Sequence, residues 1–301
     1  MDGMDTIELG RVEVTRVLDF FGRAAGADEF FPEIPAQDWQ RPDLQPDFYE
    51  PDTHGFLGAV QTFVLRSAGR TILVDTGVGN DKPRPGAPWD RLRTGYLDEL
   101  AAAGVRPDDV DLVINTHLHT DHVGWNTRLD GDEWVPTFPN ATYLLPRADV
   151  EFWDPGGEHR PKRPTAHFTD SVAPVREAGL VELWEGERVI DENLRLETAA
   201  GHTPGSSVLH LVSGGDRAVF LGDLLHTPIQ LSAPHHNCAP DEDPAAARAS
   251  RWRMLERAAE ARALVVPAHF GGHGAVEVRR AGAGFDVVGW AGFSRRERSD
   301  R

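Results

Sequence analysis

Between His117 and His122, in Thr116-His117-Leu118-His119-Thr120-Asp121-His122, the chain places three histidines and one aspartate. Neutral imidazoles with a carboxylate suit zinc, iron or manganese better than calcium, which prefers an all-oxygen shell. The cluster follows the apolar run Leu112-Val113-Ile114, so a strand running into a loop would deliver these side chains together at a sheet edge. Three later stretches repeat the arrangement of a ligand-type residue beside glycine or at a strand end. They are His202 in Gly201-His202-Thr203-Pro204-Gly205-Ser206, Asp223 in Leu221-Gly222-Asp223, and His269 in Pro267-Ala268-His269. A single His or Asp in such a place is more often a hydrogen-bonded structural residue. Four pieces that complete one another's ligand set point to a metal site.

The elements that must carry these residues follow from hydrophobic patterning. Residues 7–20 alternate apolar and polar side chains as a half-buried strand does, and 58–66 with 70–74 reads as a hairpin that ends at Asp75. The Thr76-Gly77-Val78-Gly79 that follows is a turn at the sheet edge and lacks the GxGxxG of a dinucleotide site. Helical spacing runs over 89–103 until Gly104, and 148–153 opens a shorter helix. Short strands are expected at 141–145, 180–184, 194–198, 207–212 and 218–221. The Ala/Arg/Glu-rich stretch 244–263, opened by Asp243 and Pro244, is the strongest helix and leads into Leu264-Val265-Val266. Residues 20–52 read as a long Pro- and aromatic-rich loop or lid. Its aromatics are open to three readings: a pocket wall, a dimer contact, or a cap on the core.

Composition narrows the function classes. A net charge of −17 over 301 residues repels phosphate backbones, which argues against a nucleic-acid partner. No apolar run approaches the roughly 18 residues of a membrane span, and the first residues lack a secretory pattern. One cysteine, Cys238, excludes an intrachain disulfide and fits a reducing, cytoplasmic setting. The expected organisation is a single domain over 1–301, with 290–301 as a flexible tail and a homodimer as the default assembly.

Taken in order, HxHxDH at His117–His122, GHTPGS at Gly201–Ser206, Gly222-Asp223 and Ala268-His269 resemble the motif set of the metallo-β-lactamase-fold hydrolases. The resemblance runs from about residue 60 to 269. It implies an α+β fold, a four-layer αββα sandwich with metals at one edge between the two sheets. It implies that His117, His119 and His202 hold one divalent ion and Asp121, His122 and His269 a second. Asp223 would bridge the pair, and Asp75 would support the ligands from behind. The implied cofactor is two divalent ions, zinc ahead of iron or manganese. The implied chemistry is attack of a metal-bridging hydroxide, steered by Asp121, on a small ester, lactone or phosphotriester.

Individual positions sort the branches. His119 stands where flavodiiron oxidoreductases have Glu, and Asp223 where the main antibiotic-hydrolysing branches have Cys. His226, three residues after Asp223, replaces the tyrosine of many acyl-homoserine lactonases. It resembles the methyl-parathion-hydrolase-like branch, where it would donate to the developing oxyanion. A glyoxalase-II-like thioesterase is the alternative enzyme and would need a basic pocket, for which Arg279 and Arg280 are candidates. A non-catalytic metal-binding protein is the alternative from another class. Trp125 is open to a role as pocket wall or core, and Cys238 needs no catalytic role.

Overall fold

The computed structural model describes residues 5–159, 161 and 165–293. The first sheet begins with β1 (Thr6–Leu9), β2 (Val12–Gly26) and β3 (Tyr49–Glu50). It continues with β4 (Gly55–Ser67), β5 (Arg70–Val74) and β6 (Leu112–Ile114). A separate hairpin, β7 (Thr127–Asp130) with β8 (Glu133–Pro136), precedes its last members, β9 (Thr142–Pro146) and β10 (Val181–Trp184). The second sheet holds β11 (Glu187–Val189), β12 (Leu194–Thr198), β13 (Ser207–Ser213) and β14 (Asp216–Gly222). It closes with β15 (Leu264–Pro267), β16 (Val276–Ala281) and β17 (Gly284–Trp290). The helices are α1 (Ala27–Phe30), α2 (Tyr96–Ala102), α3 (Arg147–Trp153), α4 (Ala173–Glu177), α5 (Ile229–Ser232) and α6 (Pro244–Ala261). The eight-stranded sheet runs β1-β2-β4-β5-β6-β9-β10 with β3 on β4, and the seven-stranded sheet runs from β11 to β17 in chain order.

The central strands are apolar throughout because each buries both faces. Ile72, Val74, Leu112, Ile114 and Leu144 of the first sheet meet Leu196, Leu209, Leu211, Phe220 and Val266 of the second in one cluster. Their chain neighbours Leu73, Val113, Tyr143 and Leu145 point the opposite way, into a cluster with Tyr96, Leu100 and Trp153 from α2 and α3. Val208, Val219, Leu221 and Val265 likewise turn outward onto Met254, Leu255 and Ala258 of α6. The period-two alternation of the strands thus produces helix, sheet, sheet, helix in four layers. Helix α6 starts where Asp243 accepts from the amides of Ala245 and Ala246 and Pro244 opens the first turn.

Strand direction decides where the ligand-type residues go. β5, β6, β9 and β10 pair in parallel, as do β14 and β15. β12 is antiparallel to β13, which is antiparallel to β14, so β12 and β14 also point the same way. Asp75, the 117–122 loop, His202, Asp223 and His269 all follow carboxyl ends of these strands. Thr116 O accepts from both the amide (3.0 Å) and the hydroxyl (2.7 Å) of Ser207, stitching the two sheets together at that edge.

Several expectations need correcting. Residues 7–20 are not one half-buried strand: the chain turns at Gly10 (φ 61°), and β2 then runs to Gly26, covered on both faces. The long loop of 20–52 therefore begins only after Gly26, and Phe31, Trp39, Phe48 and Tyr49 lie in the core. Helix 89–103 shortens to Tyr96–Ala102, because Arg91 sits at φ 50° and Trp89 and Leu92 pack instead on Phe20, Val60 and Val78. Trp125 is core, stacked on Tyr96 at 5.1 Å. The hairpin β16–β17 has no counterpart among the expected strands. It takes in Trp290, and Phe293 is buried, so the tail assigned to 290–301 is packed at its start; residues 294–301 lie outside the described residues.

The inter-sheet layer makes a direct test. Leu209→Ala should cost about 2–5 kcal/mol in urea denaturation, because Leu209 is fully buried between the sheets. Val212→Ala, on the same strand but half exposed, should stay within about 0.5 kcal/mol.

Candidate metal centre

All seven ligand-type residues converge at the sheet edge. Four of the imidazoles present Nε2 inward and His119 presents Nδ1. His119 Nδ1 lies 3.0 Å from His117 Nε2 and 2.9 Å from His202 Nε2. His122 Nε2 and His269 Nε2 are 3.3 Å apart. Asp223 lies among them: Oδ1 is 3.2 Å from His122 Nε2 and 2.9 Å from His269 Nε2, and Oδ2 is 3.3 Å from His202 Nε2 and 3.6 Å from His117 Nε2. Asp121 Oδ2 stands 3.5 Å from His269 Nε2 and 3.8 Å from His122 Nε2.

The outward nitrogens of His117, His122, His202 and His269 fix which tautomer those rings adopt when neutral. His269 Nδ1 must donate, since its partner is the carbonyl of Ala59 at 2.7 Å. His122 Nδ1 is 2.9 Å from Asp75 Oδ2, and His202 Nδ1 is 2.8 Å from Asp241 Oδ1. His117 Nδ1 faces Thr116 Oγ1 at 3.2 Å, a hydroxyl that itself donates to Asp75. With the protons held outside, the inner Nε2 atoms carry lone pairs, and lone pairs cannot hydrogen-bond to one another. A proton on His119 Nδ1 serves only one of its two neighbours. Cations answer this geometry, and the N/O donor set matches zinc and its first-row relatives. His117, His119 and His202 could hold one ion and Asp121, His122 and His269 another, with Asp223 between them.

The electrostatics carry the same signature. Burial opposes charge on His122, but Asp223, Asp75 and Asp121 outweigh it and raise its pKa well above the usual histidine value. His202 is raised likewise by Asp223 and Asp241 against its burial. His117 and His119 are driven well below by burial and by neighbouring imidazoles. In the metal-free protein, protons on His122 and His202 thus offset the carboxylate charge.

Backbone features aim these groups. Asp75 adopts φ 57°, a left-handed conformation that Asp tolerates. Its carboxylate accepts from the amide (2.7 Å) and hydroxyl (2.8 Å) of Thr116 as well as meeting His122. Gly201, at φ 141°, lets the His202 loop press on the start of α6, where a Cβ would come within 2.1 Å of Ala247 N. Asp149 of α3 joins the two ligand loops, accepting from Leu118 N (2.8 Å), Thr203 Oγ1 (2.9 Å) and Gly205 N (2.6 Å). Burial pushes its pKa up to about 6. Asp149 and Asp241 carry no motif and were not among the expected site residues. An acid opposite each ligand imidazole is the general signal that could have prompted the search for Asp241. Cys238 lies behind the site, its Sγ 3.3 Å from Asp241 Oδ1.

His226 reaches the centre too, with Nε2 3.2 Å from Asp223 Oδ2 and its ring stacked on His269 at 5.3 Å. Burial holds its pKa down to about 4. A cavity of about 470 Å³ opens over His119, Asp121, Asp223, His226 and His269. Its walls are largely apolar, with Phe30, Phe56, Val60, Trp89 and Trp153 prominent.

Comparison with known proteins agrees with this architecture. The family model for the metallo-beta-lactamase superfamily matches residues 55–289. The chain belongs to this superfamily. Human metallo-beta-lactamase domain-containing protein 1 is 31% identical over 214 residues, 70% of this chain and 62% of that protein. The chain therefore spans less than two thirds of that relative's length. The N-acyl homoserine lactonase AttM of Agrobacterium fabrum is 37% identical over 68 residues, 21% of this chain and 22% of AttM. Among solved structures, the dizinc quorum-quenching lactonase AidC superposes with a TM-score of 0.76 at 20% identity, covering 96% of this chain and 98% of its own. The hydrolase AbOPH gives 0.79 at 23%, covering 99% of each chain. These two likenesses establish a shared metallo-β-lactamase fold.

The raised His122 and His202 set the sign of a pH effect. Both must lose protons to become ligands, so metal binding should release protons and weaken on acidification. Zinc added to metal-free protein in weak buffer should acidify the solution, and apparent affinity should fall steadily from about pH 8 to about pH 6. A pH-independent affinity with no proton release would contradict the ligand set.

Proposed function

We propose that this superfamily member is a metal-dependent hydrolase of small, uncharged esters, lactones or phosphotriesters, with two zinc ions as its working cofactor. The observation that carries the reading is the ring of inward lone pairs at the floor of an apolar-walled cavity. Divalent ions held there would bring water's pKa toward neutrality and polarise a carbonyl or phosphoryl oxygen. The lactonase AttM and the dizinc lactonase AidC lend support, since each name describes hydrolytic chemistry on a lactone.

The chain's own residues supply the rest. Asp121, part-exposed to the cavity, can orient an attacking water and accept its proton. His226 stays neutral and can offer Nε2–H to a substrate oxygen placed beside Asp223. The apolar walls exclude water around the scissile bond.

Charge separates this reading from a thioesterase with an anionic thiol carrier. Arg84 is the one Lys or Arg side chain on the described cavity wall. Its guanidinium is spent on Asp170 at 2.7 and 2.8 Å and on Thr120. Arg279 and Arg280 pair instead with Asp286 and Glu256, away from the cavity. No cation on that described wall is thus left to hold an anionic group.

Acid release by pH-stat on zinc-loaded protein tests the proposal. The panel is an aliphatic lactone, an aryl ester, a phosphotriester, an anionic thioester and a β-lactam, each with and without chelator. Chelator-sensitive turnover of the uncharged esters or lactones is expected, and His119→Ala should lower it at least about a hundredfold together with metal content. Two bound metals with no turnover anywhere on the panel would favour a non-catalytic metal protein.

A further inference from the structure

The 117–122 loop is braced firmly at both ends. Leu118 N donates to Asp149 at 2.8 Å. The carbonyl of His122 accepts from Thr76 N and Asn115 Nδ2, both at 2.8 Å, and from Thr76 Oγ1 at 3.2 Å. Between these braces the chain turns, with His122 N bonded to His119 O at 3.1 Å, and Thr120 and Asp121 form the tip. The imidazoles of His117, His122, His202 and His269 each have an outer partner that aims them. The Asp121 carboxylate has no such hydrogen-bond partner among the described residues. It meets the inner nitrogens of His122 and His269, at 3.8 and 3.5 Å. Its place is therefore set by the turn that carries it.

Arg84 reaches that tip. Its Nε donates to Thr120 Oγ1, and its two terminal nitrogens take the two oxygens of Asp170, at 2.7 and 2.8 Å. The anchor behind it is buried and cross-tied. Ser171 Oγ donates to Asp170 at 2.6 Å, and Lys82 Nζ stands 3.7 Å from Asp170 Oδ1. Lys82 also donates to the Asp170 carbonyl at 3.0 Å and to Thr127 Oγ1, fastening the turn Phe168–Val172 from behind. Burial opposes charge on Asp170, but Arg84 and Lys82 outweigh it and hold its pKa below the usual carboxylate value. On the other side Arg84 N donates to Asp90 at 2.5 Å and Arg91 N to the Lys82 carbonyl at 2.9 Å, closing the loop that carries the guanidinium. A planar guanidinium with fixed N–H directions serves a carboxylate and a hydroxyl at once, which a Lys ammonium cannot reproduce.

We propose that Arg84 is a positioning residue for Asp121. Fixed on Asp170, it holds Thr120 and so keeps the tip of the turn, with the Asp121 carboxylate next along the chain, facing His122 and His269. The effect passes through the Thr120 hydroxyl and the two backbone bonds that separate it from Asp121. The inference rests on reading Asp121 as a ligand of the second ion, and it deepens that reading by naming what aims this carboxylate.

Zinc titration against a competing chelator tests it, reading the affinity of each of the two binding steps. The proteins are wild type, Thr120→Val, Thr120→Ser, Arg84→Lys, Asp121→Ala and the double variant Thr120→Val/Asp121→Ala. Asp121→Ala identifies the step that depends on this carboxylate. Thr120→Val, which keeps the shape but loses the acceptor, and Arg84→Lys should each weaken that same step roughly tenfold and leave the other within about twofold. Thr120→Ser restores the acceptor and should return both steps to within about twofold of wild type. In the Asp121→Ala background Thr120→Val should change neither step, because the group it acts through is gone; a general loosening of the fold would still weaken both. The positioning role is overturned if Thr120→Val has no effect, weakens both steps equally, or acts undiminished without Asp121. It is overturned as well if Asp121→Ala alters neither step. The selective, Asp121-dependent loss, in a protein whose zinc-loaded wild type hydrolyses no ester or lactone, leaves the positioning role standing and removes the proposed activity.

Discussion

Five imidazole nitrogens and two carboxylates packed into one sheet edge would repel one another unless something positive stood between them. The outer hydrogen bonds to Ala59 O, Asp75, Asp241 and Thr116 settle the conflict in one direction. They keep the proton of four of the five rings on the far side, so those inner lone pairs have only cations or borrowed protons to meet. The raised histidines and the depressed Asp223 are the same constraint seen in the metal-free protein, where protons partly replace the missing charge.

Holding that arrangement needs rigid strand ends, and the sandwich provides them. Strands buried on both faces are held by close packing on the inter-sheet layer on one side and on the helices on the other. Parallel pairing then brings several carboxyl ends to one side. The loops are cross-braced where they leave the strands. Asp149 ties the 117–122 loop to the 202–206 loop, and Gly124 lets the chain pass Val78 where a Cβ would sit 1.9 Å from its carbonyl carbon.

Legibility in the sequence tracked how local each signal is. The HxHxDH cluster and the strand-end His202, Asp223 and His269 were readable because residue type, spacing and flanking apolar runs coincide. Helix α6 was readable through Asp243, Pro244 and its composition. What could not be read depends on partners far away along the chain. Asp241, Asp149 and the Arg84–Asp170 pair acquire meaning from residues 39, 31 and 86 positions distant. The expected helix 89–103 failed because apolar spacing around Trp89 and Leu92 serves a tertiary patch, not a helical face. The aromatics of 20–52 were open to three readings because their role depends on what they meet: Phe31, Trp39, Phe48 and Tyr49 join the core cluster that includes Val208, Val219 and Leu221 of the second sheet, while Phe30 lines the cavity.

The cavity's chemistry and its shape come from different parts of the chain. Ligand-type groups sit at strand ends, whereas part of the wall, Trp89 and His167 among it, lies in connections and Phe30 closes the four-residue helix α1. Connections tolerate insertion and substitution far better than paired strands do. A lineage could therefore remodel what the cavity admits while leaving the reactive floor intact. The bond from Arg84 to Thr120 is the point where the two parts meet, and drift in the wall would be felt at the floor first through that contact.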